Sequence, residues 1–286
     1  MHPICHPMGR YWVHANVIIK QKTKYELSKS RRNYILEKNG NDSEKLEYYL
    51  NGWKHRKPKS FNSLFKNMLM HAQNRQGMPN TIGDIENLRG FLYDFNPKDV
   101  SNNYNSWQEI FTEIKSNYSP PGRMDINNAR SYWVIFSKSI LSISNYLSRF
   151  DDLKDFEKYV NQFVQSDNID LRVALPLLLG EEIFGFRFAL ACDFIKENVS
   201  PEFVKPDVHI KDIFVGIGIC ESDDSDFEVF RKVVRFSKLV NKKPYWIDKL
   251  FWLVGSNTFY ESLNYPIEQI INTSKQELIQ LIKKEA

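Results

Sequence analysis

Chemistry in this 286-residue sequence concentrates in the stretch ALPLLLGEEIFGFRFALACDFIKENVSPEFVKPDVHIKDIFVGIGI, residues 174–219. Its sharpest feature is Lys205-Pro206-Asp207-Val208-His209. Proline disfavours α geometry in the residue before it, so the chain reaches Asp207 extended. Asp207 then falls at a helix start, where its oxygens accept backbone N–H bonds and the helix dipole favours negative charge. A carboxylate held on a rigid element can stabilise positive charge that develops in a transition state, or orient and deprotonate a water. The same position equally suits an Asp that only caps a helix. Lys205 and Lys211 flank it, and Gly185, Phe186 and Arg187 form a tight turn upstream. Turn amides and cations of this kind can hold an anion, although each Lys also reads as a solvated surface charge. His209 lies two residues beyond Asp207, on a different side of the helix, and is expected to hydrogen-bond within the fold.

Helices must position these groups. Apolar residues recur at three- and four-residue steps through Phe61, Leu64, Phe65, Met68 and Leu69, the pattern of one buried helical face. A restart after Pro79, with Thr81 or Asp84 as N-cap, places Ile85, Leu88 and Leu92 on the next helix. Spacing predicts further helices over 106–116, 127–148, 153–165, 170–180 and 186–197, then over 208–216, 226–240, 245–253 and 267–284. One strand is predicted, Tyr11–Lys20, from its aromatic and β-branched residues. Ser, Asn, Gly and Pro-Pro in SNYSPPGRMD (116–125) mark a loop between helical groups. The class is mainly α.

Helix, Gly-bearing turn, helix, extended linker, then Pro206-Asp207-Val208-His209-Ile210 resembles the helix-hairpin-helix DNA glycosylase superfamily, which includes endonuclease III, the MutY-type adenine glycosylases and the 8-oxoguanine glycosylases. The 22 residues from Gly185 to Asp207 suit that arrangement. A second likeness is Met70-His71-Ala72-Gln73, at the end of an apolar helical face, where the family carries a Leu-Ser-x-Gln element whose Gln lies near DNA. The resemblance spans roughly residues 60–255 in order and motif rather than identity. It implies a two-lobed helical fold over 60–286, with the hairpin near 174–197 and the C-terminal helices packing back on the first lobe, preceded by a basic N-terminal extension, 1–59. It also implies Asp207 as the catalytic carboxylate, Gln73, Gly185, Phe186, Arg187, Lys205 and Lys211 as DNA contacts, and a monovalent cation at the hairpin.

Departures from the family are specific. The second glycine of the family hairpin is replaced by Arg187, and the lysine of its bifunctional members falls on Phe188 or Ala189. Without that amine there is no Schiff base and no β-lyase step. Cys220 alone lies downstream, so the four-cysteine iron–sulfur loop of endonuclease III is missing. The expectation is a monofunctional glycosylase that uses no cofactor and, because the hairpin turn is altered from the one that holds the family's cation, no metal. Its alternatives are a catalytically silent DNA-binding relative and a helical interaction protein in which Asp207 is only a cap. Tyr245 or Trp246 would line a base pocket by stacking.

Composition agrees with a globular chain: 42% apolar, 26% charged, 33.8 kDa. The longest apolar run, Val173–Leu179, is too short to cross a bilayer. The opening MHPICHPMGRYW lacks the pattern of a secretory signal, and three cysteines fit a reducing compartment. A cytoplasmic protein is therefore expected, and the DNA binding that the resemblance implies would make it a nucleoid-associated monomer acting on duplex DNA. His2, Cys5, His6 and His14 lack the paired spacing of a metal site. Residues 1–60 hold 13 Lys/Arg against 5 Asp/Glu, which leaves 26 against 30 for the remainder. Such a basic lobe can attract a polyanion through counterion release, or be a solvated surface. No P-loop, dinucleotide fingerprint, His-Glu-x-x-His or Gly-x-Ser-x-Gly element occurs.

Overall fold

The computed structural model describes residues 43–74, 77–118, 120, 122–165, 168–256 and 275–285. Among them the chain is mainly helical, without strands. Tyr11–Lys20, the His2, Cys5, His6 and His14 group, and residues 267–274 of the predicted last helix lie outside the described residues. Two compact units divide the chain: a terminal unit of Met1–Gly52 with Val204–Ala286, and a middle unit of Trp53–Phe203. The division falls at 52/53, whereas the sequence suggested 59/60, and it joins the first described helix, α1 (Ser43–Leu50), to the C-terminal segment.

The middle unit contains α2 (Phe61–Gln73), α3 (Met78–Ile82), α4 (Pro97–Asn103), α5 (Trp107–Asn117), α6 (Tyr132–Leu147), α7 (Leu153–Val164), α8 (Ile169–Glu182) and α9 (Phe188–Asn198). A reciprocal Ser60–Ser63 capping box starts α2, which buries Leu64, Phe65, Met68, Leu69 and Ala72 as its spacing predicted. Helix α6, with Trp133, Phe136, Ile140, Ile143 and Leu147 inside, packs against α2, α3, α4 and α5. It begins at Tyr132 instead of 127 because Asp125 and Asn128 fold the preceding residues into turns, accepting from Asn127, Asn128, Arg130 and Ser131.

The predicted helix through Ile85–Leu92 breaks into short pieces. Pro79 lies in the first turn of α3 and Thr81 in its body, not at a cap, while Asp84 caps a 3-10 turn over Ile85–Leu88 through the Glu86 amide. Tyr93, Asp94 and Phe95 follow with φ of 48°, 54° and 60°, three successive left-handed residues without a glycine among them. Such backbone costs about 1–2 kcal/mol per residue. Burial of Phe95 beneath Arg89, the Asn62 bond to the Asp94 carbonyl (3.0 Å) and the Arg89–Asp94 pair (3.3 Å) offset it.

In the terminal unit, α10 (Val208–Gly216), α11 (Asp226–Leu239) and α13 (Lys275–Glu285) accompany α12 (Pro244–Ser256). Helix α12 is apolar along nearly its whole length and packs against α1, α10, α11 and α13. Phe214 of α10 meets Phe251 and Phe236 edge-on at 5.2 and 5.4 Å. A Ser225–Glu228 capping box starts α11, and its backbone and hydroxyl bonds hold the Glu228 carboxyl below the ordinary carboxylate range. No helix among the described residues is long and apolar enough to cross a membrane.

Candidate functional site

The terminal unit carries Asp207. Lys205 donates its amide to Oδ2 of Asp248 at 2.6 Å, a carboxylate 1% exposed on α12. That bond fixes the extended arrival that Pro206 imposes. Asp207 has φ −89° and ψ 178°, and its Oδ1 accepts from the amides of His209 (3.0 Å) and Ile210 (3.1 Å), capping α10. Oδ1 is thereby committed. Oδ2 has no hydrogen-bond partner among the described residues, and the side chain is partly exposed. A single carboxylate thus locks a helix start with one oxygen and keeps the other open.

Its neighbours differ from expectation. Lys211 reaches the Asp224 carbonyl at 2.5 Å, while the Asp224 carboxylate accepts from the Glu221 amide and pairs with Lys232 at 2.6 Å. The Lys211 ammonium is spent on the fold. Cys220, in the same loop, is buried, and that burial together with nearby Asp224 pushes its thiol up to about 12, so it is inert as a nucleophile. Tyr245 is fully buried and Trp246 is 5% exposed; Lys249 lies over the first ring (5.4 Å) and Lys242 over the second (4.7 Å). Neither offers an open face for a base, since α12 is buried on nearly every side. Among the described residues His209 forms no side-chain hydrogen bond, and its buried Nδ1 has no partner there.

Gly255 explains how α10 sits so close to α12. A Cβ there would stand 2.8 Å from Cβ of His209 and 3.5 Å from its Cα. Gly255→Ala is expected to destabilise the protein by about 1–3 kcal/mol, because a helix must move instead of a flexible side-chain tip. Urea unfolding measures this. An unchanged midpoint would show that the two helices are not in close register.

The middle unit carries the other candidates. Helices α8 and α9 meet in the turn Ile183–Arg187, where Gly185 has φ +86° and the Phe186 amide bonds the Ile183 carbonyl at 3.1 Å. Two serines of α6 clamp the turn: the Phe184 amide donates to Ser142 Oγ (2.9 Å), and Ser139 Oγ donates to the Phe184 carbonyl (3.0 Å). A Cβ on Gly185 would meet Ser139 Oγ at 3.0 Å. Gly185→Ala therefore combines a left-handed alanine with a crowded clamp, and a loss of about 1–2 kcal/mol is expected in thermal unfolding. No loss would mean that the turn relaxes freely.

Arg187, in the N-cap position of α9, is exposed and forms no ion pair among the described residues. Among the described residues, no side chain caps α9. Phe186, predicted as a DNA contact, has its ring 3% exposed and edge-on to Phe194 at 6.2 Å, so only its backbone faces the turn. Gln73 is corrected outright. It is 9% exposed, and its Nε2 donates to the Gly83 carbonyl at 2.7 Å, tying α2 to the end of α3.

Sequence reading missed a polar network between α2 and α9. Asp193 Oδ1 pairs with Lys196 (3.1 Å), itself 4% exposed and 3.2 Å from Glu197. Asn67 donates to Asn198 Oδ1 (2.7 Å), and Asn198 Nδ2 lies 3.1 Å from His71 Nε2. That amide makes Nε2 the acceptor, so Nδ1 bears the proton and faces Asp193 Oδ2 at 3.5 Å, too poorly aligned for a hydrogen bond. Asp and Lys three residues apart, set among the apolar residues of FALACDFIKEN, were the available signal.

Among the described residues, no group of three or more His, Cys, Asp or Glu is placed to hold a metal ion. No protein-family model matches the chain, and no curated protein or solved structure matches it.

Proposed function

We propose that the protein is a monofunctional DNA glycosylase that releases a damaged or mismatched base from duplex DNA. The observation that carries this reading is the split duty of Asp207: Oδ1 on two backbone amides, Oδ2 unbonded on a partly exposed side chain. Breaking an N-glycosidic bond sends the bonding electrons out with the base and builds positive charge on the sugar. A fixed anion beside C1′ stabilises that state and orients the water whose oxygen bonds C1′, with its proton passing to the carboxylate. The nucleotide is extruded first, at a cost of a few kcal/mol in unstacking.

The hairpin supports the duplex-binding half of the reading. Exposed Arg187 and the left-handed turn at Gly185 together suit a backbone phosphate. Phe188 and Ala189 stand where a Schiff-base lysine would, so hydrolysis ends at the abasic site. An excision assay over a panel of lesion-bearing duplexes tests the proposal, with released base and abasic strand as readouts. Salt-sensitive duplex binding with no base released from any lesion identifies a catalytically silent DNA-binding protein instead. No retention on duplex at low ionic strength removes both readings and leaves a helical interaction protein.

A further inference from the structure

Phe184, at the apex of the hairpin, is 44% exposed, although most phenylalanines in the middle unit are buried. Its backbone is the part of the turn clamped at both ends, N–H to Ser142 and C=O to Ser139. The ring is held as well: Lys138 Nζ lies 5.4 Å from its centroid and 4.9 Å from that of Trp107, so one ammonium sits between two aromatic rings. Trp107 is steadied in turn by Phe111, edge-on at 6.5 Å. Lys138 and Arg187 form no ion pair among the described residues, so this apex carries positive charge. Glu181 and Glu182 also lie nearby in sequence, and Glu182 is paired with Arg149.

A single exposed aromatic needs no explanation. One that is immobilised at both backbone groups, braced by a cation and set among unpaired positive charges is a preformed stacking surface. Every base presents a π-face, and base–aromatic stacking beside cations is how proteins hold nucleotides that have left a duplex stack. We infer that the outer face of Phe184 stacks on an unpaired base next to the duplex phosphates gripped by the hairpin, with Lys138 and Arg187 neutralising the adjoining backbone. This rests on the DNA-binding reading above and names the form of DNA preferred: a duplex interrupted by an unstacked nucleotide.

The test compares the full-length protein with Phe184→Leu and Phe184→Trp on two labelled 20-mer probes, a continuous duplex and the same duplex with a one-nucleotide bulge carrying 2-aminopurine. Wild type is expected to bind the bulged probe more tightly and to quench its fluorescence. Phe184→Leu keeps the apolar bulk but loses the π-face. It should weaken the bulged complex about ten-fold and abolish the quenching, while duplex affinity holds within about two-fold. Phe184→Trp should keep both properties, which guards against a folding artefact. Equal affinity of wild type for the two probes, or quenching that survives Phe184→Leu, overturns the inference and leaves the duplex-binding proposal standing. Failure of wild type to bind either probe overturns both.

Discussion

Asp207→Asn is expected to lower single-turnover base release by about a thousand-fold or more while the fold and duplex affinity stay intact. Asparagine caps helices about as well as aspartate. Its carbonyl oxygen can accept from the His209 and Ile210 amides as Oδ1 does now, so α10 still begins at Val208. What disappears is the charge of the unbonded oxygen. Removing one oriented hydrogen-bond donor from a transition state typically costs about 10²–10³ in rate, and here a full anion beside a developing cation is lost. A thousand-fold drop corresponds to about 4 kcal/mol of barrier. Melting temperature and duplex affinity should move little. Asp207→Ala, by contrast, should lose about 1 kcal/mol of stability as well, because the cap goes too. An Asp207→Asn protein that excises as fast as wild type would reduce Asp207 to an ordinary helix cap.

Asp193→Ala should cost about 3 kcal/mol in urea unfolding, the largest stability effect expected of a single polar residue here. Lys196 is 4% exposed, and its ammonium lies between Asp193 and Glu197 at 3.1 and 3.2 Å. Removing one partner from a buried pair leaves charge uncompensated, typically at about 3–5 kcal/mol. Glu197 stays, which argues for the lower end. The signature is non-additivity. Asp193→Leu combined with Lys196→Met removes both charges and should come within about 1 kcal/mol of wild type, because apolar replacements of buried pairs are often neutral. If each single substitution were mild and the double no better than their sum, the pair would be a solvated contact rather than a buried one.

What the sequence disclosed was mostly local. Pro206 followed by Asp207 located the start of α10, and Gly185 located the hairpin, because an X-Pro bond and a left-handed turn restrict backbone whatever surrounds them. The face of α2 was legible for the same reason: periodicity states which residues share a side. Failures came where a partner decided the outcome. Gln73 looked like a DNA-facing amide until Gly83, ten residues on, supplied its acceptor. Tyr245 and Trp246 looked available because nothing in their own helix says that α12 is covered on nearly all sides. Residues 85–92 had helical spacing, yet Gly83 before them and three left-handed residues after them bound the stretch, and only Ile85–Leu88 wind, as a 3-10 turn. The Asp193–Lys196 network left only the trace of two opposite charges three residues apart, for a converse reason. Charged residues in a helix are ordinarily assigned to its wet side, and the packing of α9 against α2 and α8 goes with the burial of these two.

Asp248 and Asp207 are the same amino acid forty-one positions apart with opposite fates. One is sealed at 1% exposure and holds the Lys205 amide at 2.6 Å; the other keeps an oxygen in reserve. The place where the reserve oxygen stands is therefore inherited from a carboxylate sealed inside the unit. Loss of the hidden one would misaim its partner without altering any residue at the surface, so the address of the exposed carboxylate is written one layer beneath it.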